Sequence, residues 1–182
     1  MTSSRPITAS SETRVSVSVS ASVSEEGSCS EPGRWADLAR NSLIARGVEQ
    51  GELHLGFVGP TEMTELNTAH MGADGPTDVL AFPLDAVAEE AGPTEVPELL
   101  GDVVICAAVA QRNAEQADRS LDDEIALLVV HGVLHILGLD HAEPNERAQM
   151  QQAERELLAA LYTSESAMSS SPVSTNVEEP HS

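Results

Sequence analysis

From Leu121 to Leu137 the chain reads LDDEIALLVVHGVLHIL, with apolar side chains on nearly every face of a helix. Such a helix must be buried, so the fold has to be assembled around it. Ser120 marks its start, with Asp123 three residues on in a variant of the capping box. Gly138 stands where a helix ends in a left-handed residue. The longest apolar stretch, Ile125 to Leu139, is interrupted by His131 and His135 and is shorter than the ~18 residues a membrane span needs.

The remaining elements are those of an α+β fold, one mixed sheet of about four strands packed with about five helices. RVSVSVSASVS, from Arg14 to Ser24, alternates with period two and predicts a strand with Val15, Val17 and Val19 on one face. GSCSEPG reads as a loop. Leu38, Leu43 and Ile44 predict a helix from Trp35 to Arg46. Leu53, Leu55 and Phe57 predict a strand over 52–58. A short helix follows from Thr61 to His70, with Thr61 as its cap, then a GADGPT turn and a strand over 78–84. The acidic stretch with Pro93 and Pro97 reads as a solvated connection. GDVVIC, 101–106, is almost wholly apolar and belongs inside the sheet. Helices are expected over Ala107 to Gln116 and Asn145 to Leu161.

At 182 residues the chain is sized for one domain. It is expected to span 14–162, between disordered tails at 1–13 and 163–182, which have little to bury. MTSSRPITAS lacks the apolar core of a signal peptide, and the expectation is a soluble, cytoplasmic protein with no membrane association. Cys29 and Cys106 form neither a disulfide framework nor a CxxC metal site. Thirty acids against nine bases, all of them arginine, give a net charge of −21. Such a surface repels phosphate backbones at long range and argues against a general nucleic-acid binder.

The buried helix leads into HGVLHILGLDH, residues 131–141, which holds three of the six histidines. His131 and His135 are four apart and project from one helical face. Gly138 lets the chain turn back, so that His141 can return to the same point. Buried together without an ion, three neutral imidazoles would leave polar nitrogens unpaired. The pattern therefore predicts a zincin-like metal-binding helix with one ion on His131, His135 and His141 and a fourth position open to water; zinc suits three imidazoles best, although nickel or copper would also bind. Zinc metalloproteases place a glutamate directly after the first histidine; here that position is Gly132, which argues against a peptidase.

HGVLHILGLDH resembles the signature H-G-x-x-H-x-x-G-x-D-H of the YbeY family of bacterial metal-dependent endoribonucleases, at every fixed position. Leu66–Asn67 with PTDVLAFP (Pro76 to Pro83), and GDVVI from Gly101, are similar to two further stretches of that family. The resemblance covers about residues 14–162. It implies a single zinc on the three histidines and cleavage of single-stranded RNA. It also implies processing of the small-subunit ribosomal RNA 3′ end and a part in ribosome quality control. The partners it implies are single-stranded RNA, ribosomal RNA and the small ribosomal subunit, with no DNA. Asp140 matches the motif's aspartate and is a candidate supporting residue at the site. His70 and Asp78 are candidates for a general base.

Two positions depart from the family pattern. Met71 stands where an arginine is usual, and Ala81 replaces the usual serine. An arginine at 71 would be a phosphate clamp, which methionine cannot be; Arg112, Arg119 and Arg147 are the alternatives. The competing reading is a ribosome-assembly binding factor whose zinc is mainly structural.

Overall fold

The computed structural model describes residues 15–84, 98–140 and 142–164. The expected tail at 1–13, most of that at 163–182, and the stretch holding Pro93 and Pro97 therefore lie outside the described residues. The elements run β1 (Ser16–Val23), α1 (Pro32–Ala45), β2 (Gln50–Val58), α2 (Pro60–Met71), β3 (Val79–Pro83), β4 (Leu99–Cys106), α3 (Ala107–Gln116), α4 (Leu121–Ile136) and α5 (Pro144–Leu161). Four strands in the order β1-β2-β4-β3 form one mixed sheet. β1 with β2 and β2 with β4 are parallel, and β3 closes the edge antiparallel to β4. This is the α+β architecture read from the sequence.

The main core lies between one face of the sheet and α1, α4 and α5. β2 directs Leu53, Leu55 and Phe57 to this side and β4 directs Val103 and Ile105, all buried. α1 answers with Trp35, Leu38, Ala39 and Leu43, and α4 with Ile125, Leu128, Val129, Val133 and Leu134. Each buried Val, Leu, Ile or Phe among these stabilises the fold by roughly 1.5–3 kcal/mol relative to exposure. On the other face Val58, Val104 and Cys106 pack with Met63 of α2. β4 is thus apolar on both sides because it is an interior strand whose end is covered on both faces of the sheet.

Several boundaries differ from the sequence expectation by one to three residues, α1 starting at Pro32, β2 at Gln50 and β4 at Leu99, and two differences have a local cause. α2 starts at Pro60 behind Gly59, so Thr61 is not its cap; the fixed φ of proline suits the first helical position. Val15 precedes β1 and is 44% exposed while Val17 is 4% exposed. Pairing with β2 begins only at Ser16, opposite Gln50, which leaves Val15 off the sheet. The serines of β1 face the other way, where Ser20 and Ser22 place their hydroxyls 3.1 and 3.0 Å from the two ring nitrogens of His54.

Two local devices set up the α4 region. Ser120 Oγ accepts from the backbone N–H of Asp123, capping α4. At the far end Gly138 is left-handed (φ +83°). Its N–H donates to the carbonyl of His135 and that of Leu139 to the carbonyl of Leu134. This pair of bonds closes the helix and reverses the chain. Among the described residues no helix is long and apolar enough to cross a membrane.

Candidate metal centre

His131 and His135 stand on adjacent turns of α4, and their Nε2 atoms are 3.1 Å apart. The rings meet nearly edge to face, with centroids 4.6 Å apart. Two nitrogens on a tetrahedral ion with bonds of ~2.0–2.1 Å are separated by roughly 3.3 Å. The donor pair therefore fits one edge of such a polyhedron. Position 141 lies outside the described residues, so the third histidine is not placed. Among the described residues no group of three or more His, Cys, Asp and Glu side chains is gathered to hold an ion. Asp140, exposed, follows the Gly138 reversal and precedes position 141.

His131 is held from behind. Its Nδ1 is 2.7 Å from Glu154 Oε1 on α5, with both side chains largely buried. An ionised carboxylate can only accept, so Nδ1 carries the proton and the Nε2 lone pair points toward His135. A carboxylate or carbonyl behind a ligating histidine is how metal sites fix ring orientation and tautomer. The sequence reading missed Glu154. The available signal was an acid within the stripe of Met150, Ala153 and Leu157, which are all buried.

Gly132 explains why the peptidase glutamate is absent. A Cβ at 132 would stand 2.5 Å from Val103 Cγ1. The first histidine is thus followed by a position pressed against β4, with no room for any side chain.

Beside His131 a cleft of about 350 Å³ opens between the start of β3, α4 and α5, with Asp78, Glu124, Arg147 and Glu154 in its walls. Asp78 is fully engaged there. One carboxylate oxygen accepts from the Val79 N–H (2.8 Å) and the Thr77 hydroxyl (3.2 Å), and the other accepts from Asn113 (2.9 Å). Glu124 is 3% exposed. Arg119 Nε approaches its Oε2 at 2.8 Å, but that oxygen accepts no hydrogen bond, so the contact is an ion pair only. Burial pushes the Glu124 carboxyl above its ordinary range; Arg119 pulls it down, Asp78 pushes it up, and Asn113 pulls it down less.

The other expected site residues fall elsewhere. His70 lies exposed in the last turn of α2, edge-on to Phe82 with ring centroids 4.8 Å apart. It lines a separate groove on the opposite face of the sheet, together with His54, Glu62 and Asp102. Met71 is 56% exposed at the end of α2. The motif pair Leu66–Asn67 has a structural use there: Asn67 Nδ2 donates to the carbonyl of Gly75 (2.9 Å), pinning the turn that delivers Asp78 to β3.

The family model described as "Endoribonuclease YbeY" matches residues 31–162. A protein named Endoribonuclease YbeY from Frankia casuarinae is 48% identical over 132 residues, covering 70% of this chain and 66% of that protein. One of the same name from Salinispora tropica is 47% identical over 136 residues, covering 71% of this chain and 87% of that protein. The solution structure of TM1509 from Thermotoga maritima superposes with a TM-score of 0.51 at 20% identity, covering 88% of this chain and 99% of that one. That likeness concerns the fold alone. The matched span contains α4, its two facing histidines and the Glu154 that holds the first of them, and on this evidence the chain belongs to the YbeY family.

Proposed function

We propose that this protein is a zinc-dependent endoribonuclease that cuts single-stranded RNA, with one ion held by His131, His135 and His141. The observation that carries the reading is the Nε2 pair 3.1 Å apart, with one ring fixed by Glu154, in a chain of a family described as endoribonucleases. Zinc on such donors supplies Lewis acidity toward a phosphoryl oxygen and lowers the pKa of bound water to about 7. The chain's own part is to orient His131 through Glu154 and to seat the RNA in the adjoining cleft. His135 in turn must present its Nε2 lone pair, and the reversal at Gly138 would let His141 return to the same point.

The substrate within this reading is ribosomal RNA of the small subunit, at its 3′ end, and the setting is the cytoplasm. The functional unit is the stretch 14–162. Tyr162 supports the boundary: its hydroxyl donates to Asp123 (3.0 Å) and its ring lies 6.2 Å from Trp35, which fastens the end of α5 to α4 and α1. Asp140 is the aspartate of the motif beside the third ligand. Of the two candidates for general base, Asp78 shares the cleft with His131 and His70 does not.

Metal analysis tests the ligand set. Wild type is expected to hold one equivalent of zinc per chain, and His131→Ala, His135→Ala and His141→Ala each to lose it. Full occupancy in all three variants would remove the site.

A further inference from the structure

The molecule carries a net charge of −21, with arginine as its only fixed side-chain cation. RNA binding then requires an arginine beside the metal-binding helix and not already neutralised. The described arginines can be sorted on that requirement. Arg34 is paired with Glu31 and Asp122 and lies over the Trp35 ring, 4.1 Å from its centroid. Arg40 donates to the carbonyl of Val17 and Arg155 to the side chain of Gln152. Arg119 is committed to Glu124. Arg46 lines a separate depression with Leu139 and Gln149, away from the His131 cleft, and Arg112 is exposed on α3 without entering that cleft.

Arg147 remains. It lines the cleft together with His131, and among the described residues no carboxylate stands within ion-pairing distance of its guanidinium. It occupies α5 in the series Arg147, Gln151, Glu154, spaced four and three, so one helical face presents all three to the cleft. Glu154 at the end of that series touches His131. The three carboxylates in the cleft do not compete for Arg147, because each already has a partner: Asp78 has Asn113, Glu124 has Arg119, and Glu154 has His131. Leu127, Leu128, Met150 and Val79 give the same cleft an apolar surface suited to a ribose or base.

We propose that Arg147 is the phosphate-binding residue of this protein, receiving a backbone phosphodiester of single-stranded RNA beside His131. The inference rests on the endoribonuclease reading and assigns the substrate contact within it. An exposed, unpaired guanidinium offers two parallel N–H donors to a phosphate and keeps its charge at every working pH.

The test is a salt series of affinity for a fluorescent single-stranded oligoribonucleotide, run on wild type, Arg147→Gln, Arg147→Lys and Arg46→Gln, each in chelator and again with zinc. Arg46→Gln removes the same charge from the far side of α5 and so corrects for the long-range field. Arg147→Gln is expected to weaken binding roughly tenfold at low salt and to make the slope of log affinity against log salt shallower by ~0.7. Arg147→Lys is expected to keep the slope and lose part of the affinity, since a point charge replaces a fork. Zinc content should be unchanged in all four proteins. If Arg147→Gln matches Arg46→Gln in affinity and slope, Arg147 does not contact phosphate and this inference falls alone. If wild type binds no single-stranded RNA, the endoribonuclease reading falls with it.

Discussion

His131 on α4 and Glu154 on α5 are joined at 2.7 Å through Nδ1 and Oε1, although 23 residues separate them. The bond couples the packing of the last helix to the direction in which the first histidine of the motif presents its lone pair. It makes α5 part of the site and not merely a cover for it.

Loss of this carboxylate should therefore be felt at the metal. Glu154→Ala is expected to weaken zinc binding 10- to 100-fold, and Glu154→Gln less, because an amide oxygen can still accept from Nδ1–H. Competition with a chromophoric chelator measures both. Equal affinity in wild type and Glu154→Ala would show that the ring is oriented by other contacts.

Gly132 should tolerate no side chain. Gly132→Ala places a methyl 2.5 Å from Val103 Cγ1, an overpacking expected to cost about 1–3 kcal/mol. Urea denaturation should show a lower midpoint at an unchanged slope. An unaltered midpoint would mean that α4 and β4 separate easily, against the close packing described above.

The two facing histidines were legible from sequence because i, i+4 placement is a property of any helix. The all-round apolar pattern of α4 also required burial whatever packed on it. Glu154 was not legible as a partner, since its role depends on how α5 crosses α4, a tertiary fact. Glu124 is the same kind of case: an acid in an apolar helix whose ion pair comes from Arg119 in the preceding turn. β1 and β2 were readable from period two and β4 from its apolar run, but not the strand order, because β4 inserts between β2 and β3 through long-range pairing. Helix starts drifted where proline governs, as at Pro60.

Glu124 should give stability a measurable pH dependence. Burial raises its folded-state carboxyl above the ordinary 4.5, more than Arg119 offsets. The folded chain then binds this proton more tightly than the unfolded one, so this group's contribution declines as pH rises from 4.5 through the raised value. Glu124→Gln removes that decline. The stability difference, variant minus wild type, should grow with pH across this window and level off above it, in chelator to exclude metal linkage. Asp123, held below its ordinary 3.8 despite burial by bonds from Ser164, Ser120 and Tyr162, acts at lower pH and with the opposite sign. A difference that shrinks with rising pH would contradict the assignment to Glu124.

Met71 departs from the pattern that the resemblance implies, and an arginine can be introduced there. With the side chain 56% exposed at the end of α2, Met71→Arg should fold normally. If position 71 faces phosphate, the variant should bind single-stranded RNA more tightly, with the salt slope steeper by ~0.7 for one added contact. An unchanged slope would show that position 71 does not face the RNA.

The most direct test of the central claim is single-turnover cleavage of a labelled single-stranded RNA by zinc-loaded wild type, with and without chelator. The account predicts endonucleolytic products with zinc, their loss in chelator, and their return when zinc is restored. No cleavage of any single-stranded RNA by fully loaded protein would contradict it, and would leave a ribosome-assembly binding factor with a structural zinc in its place.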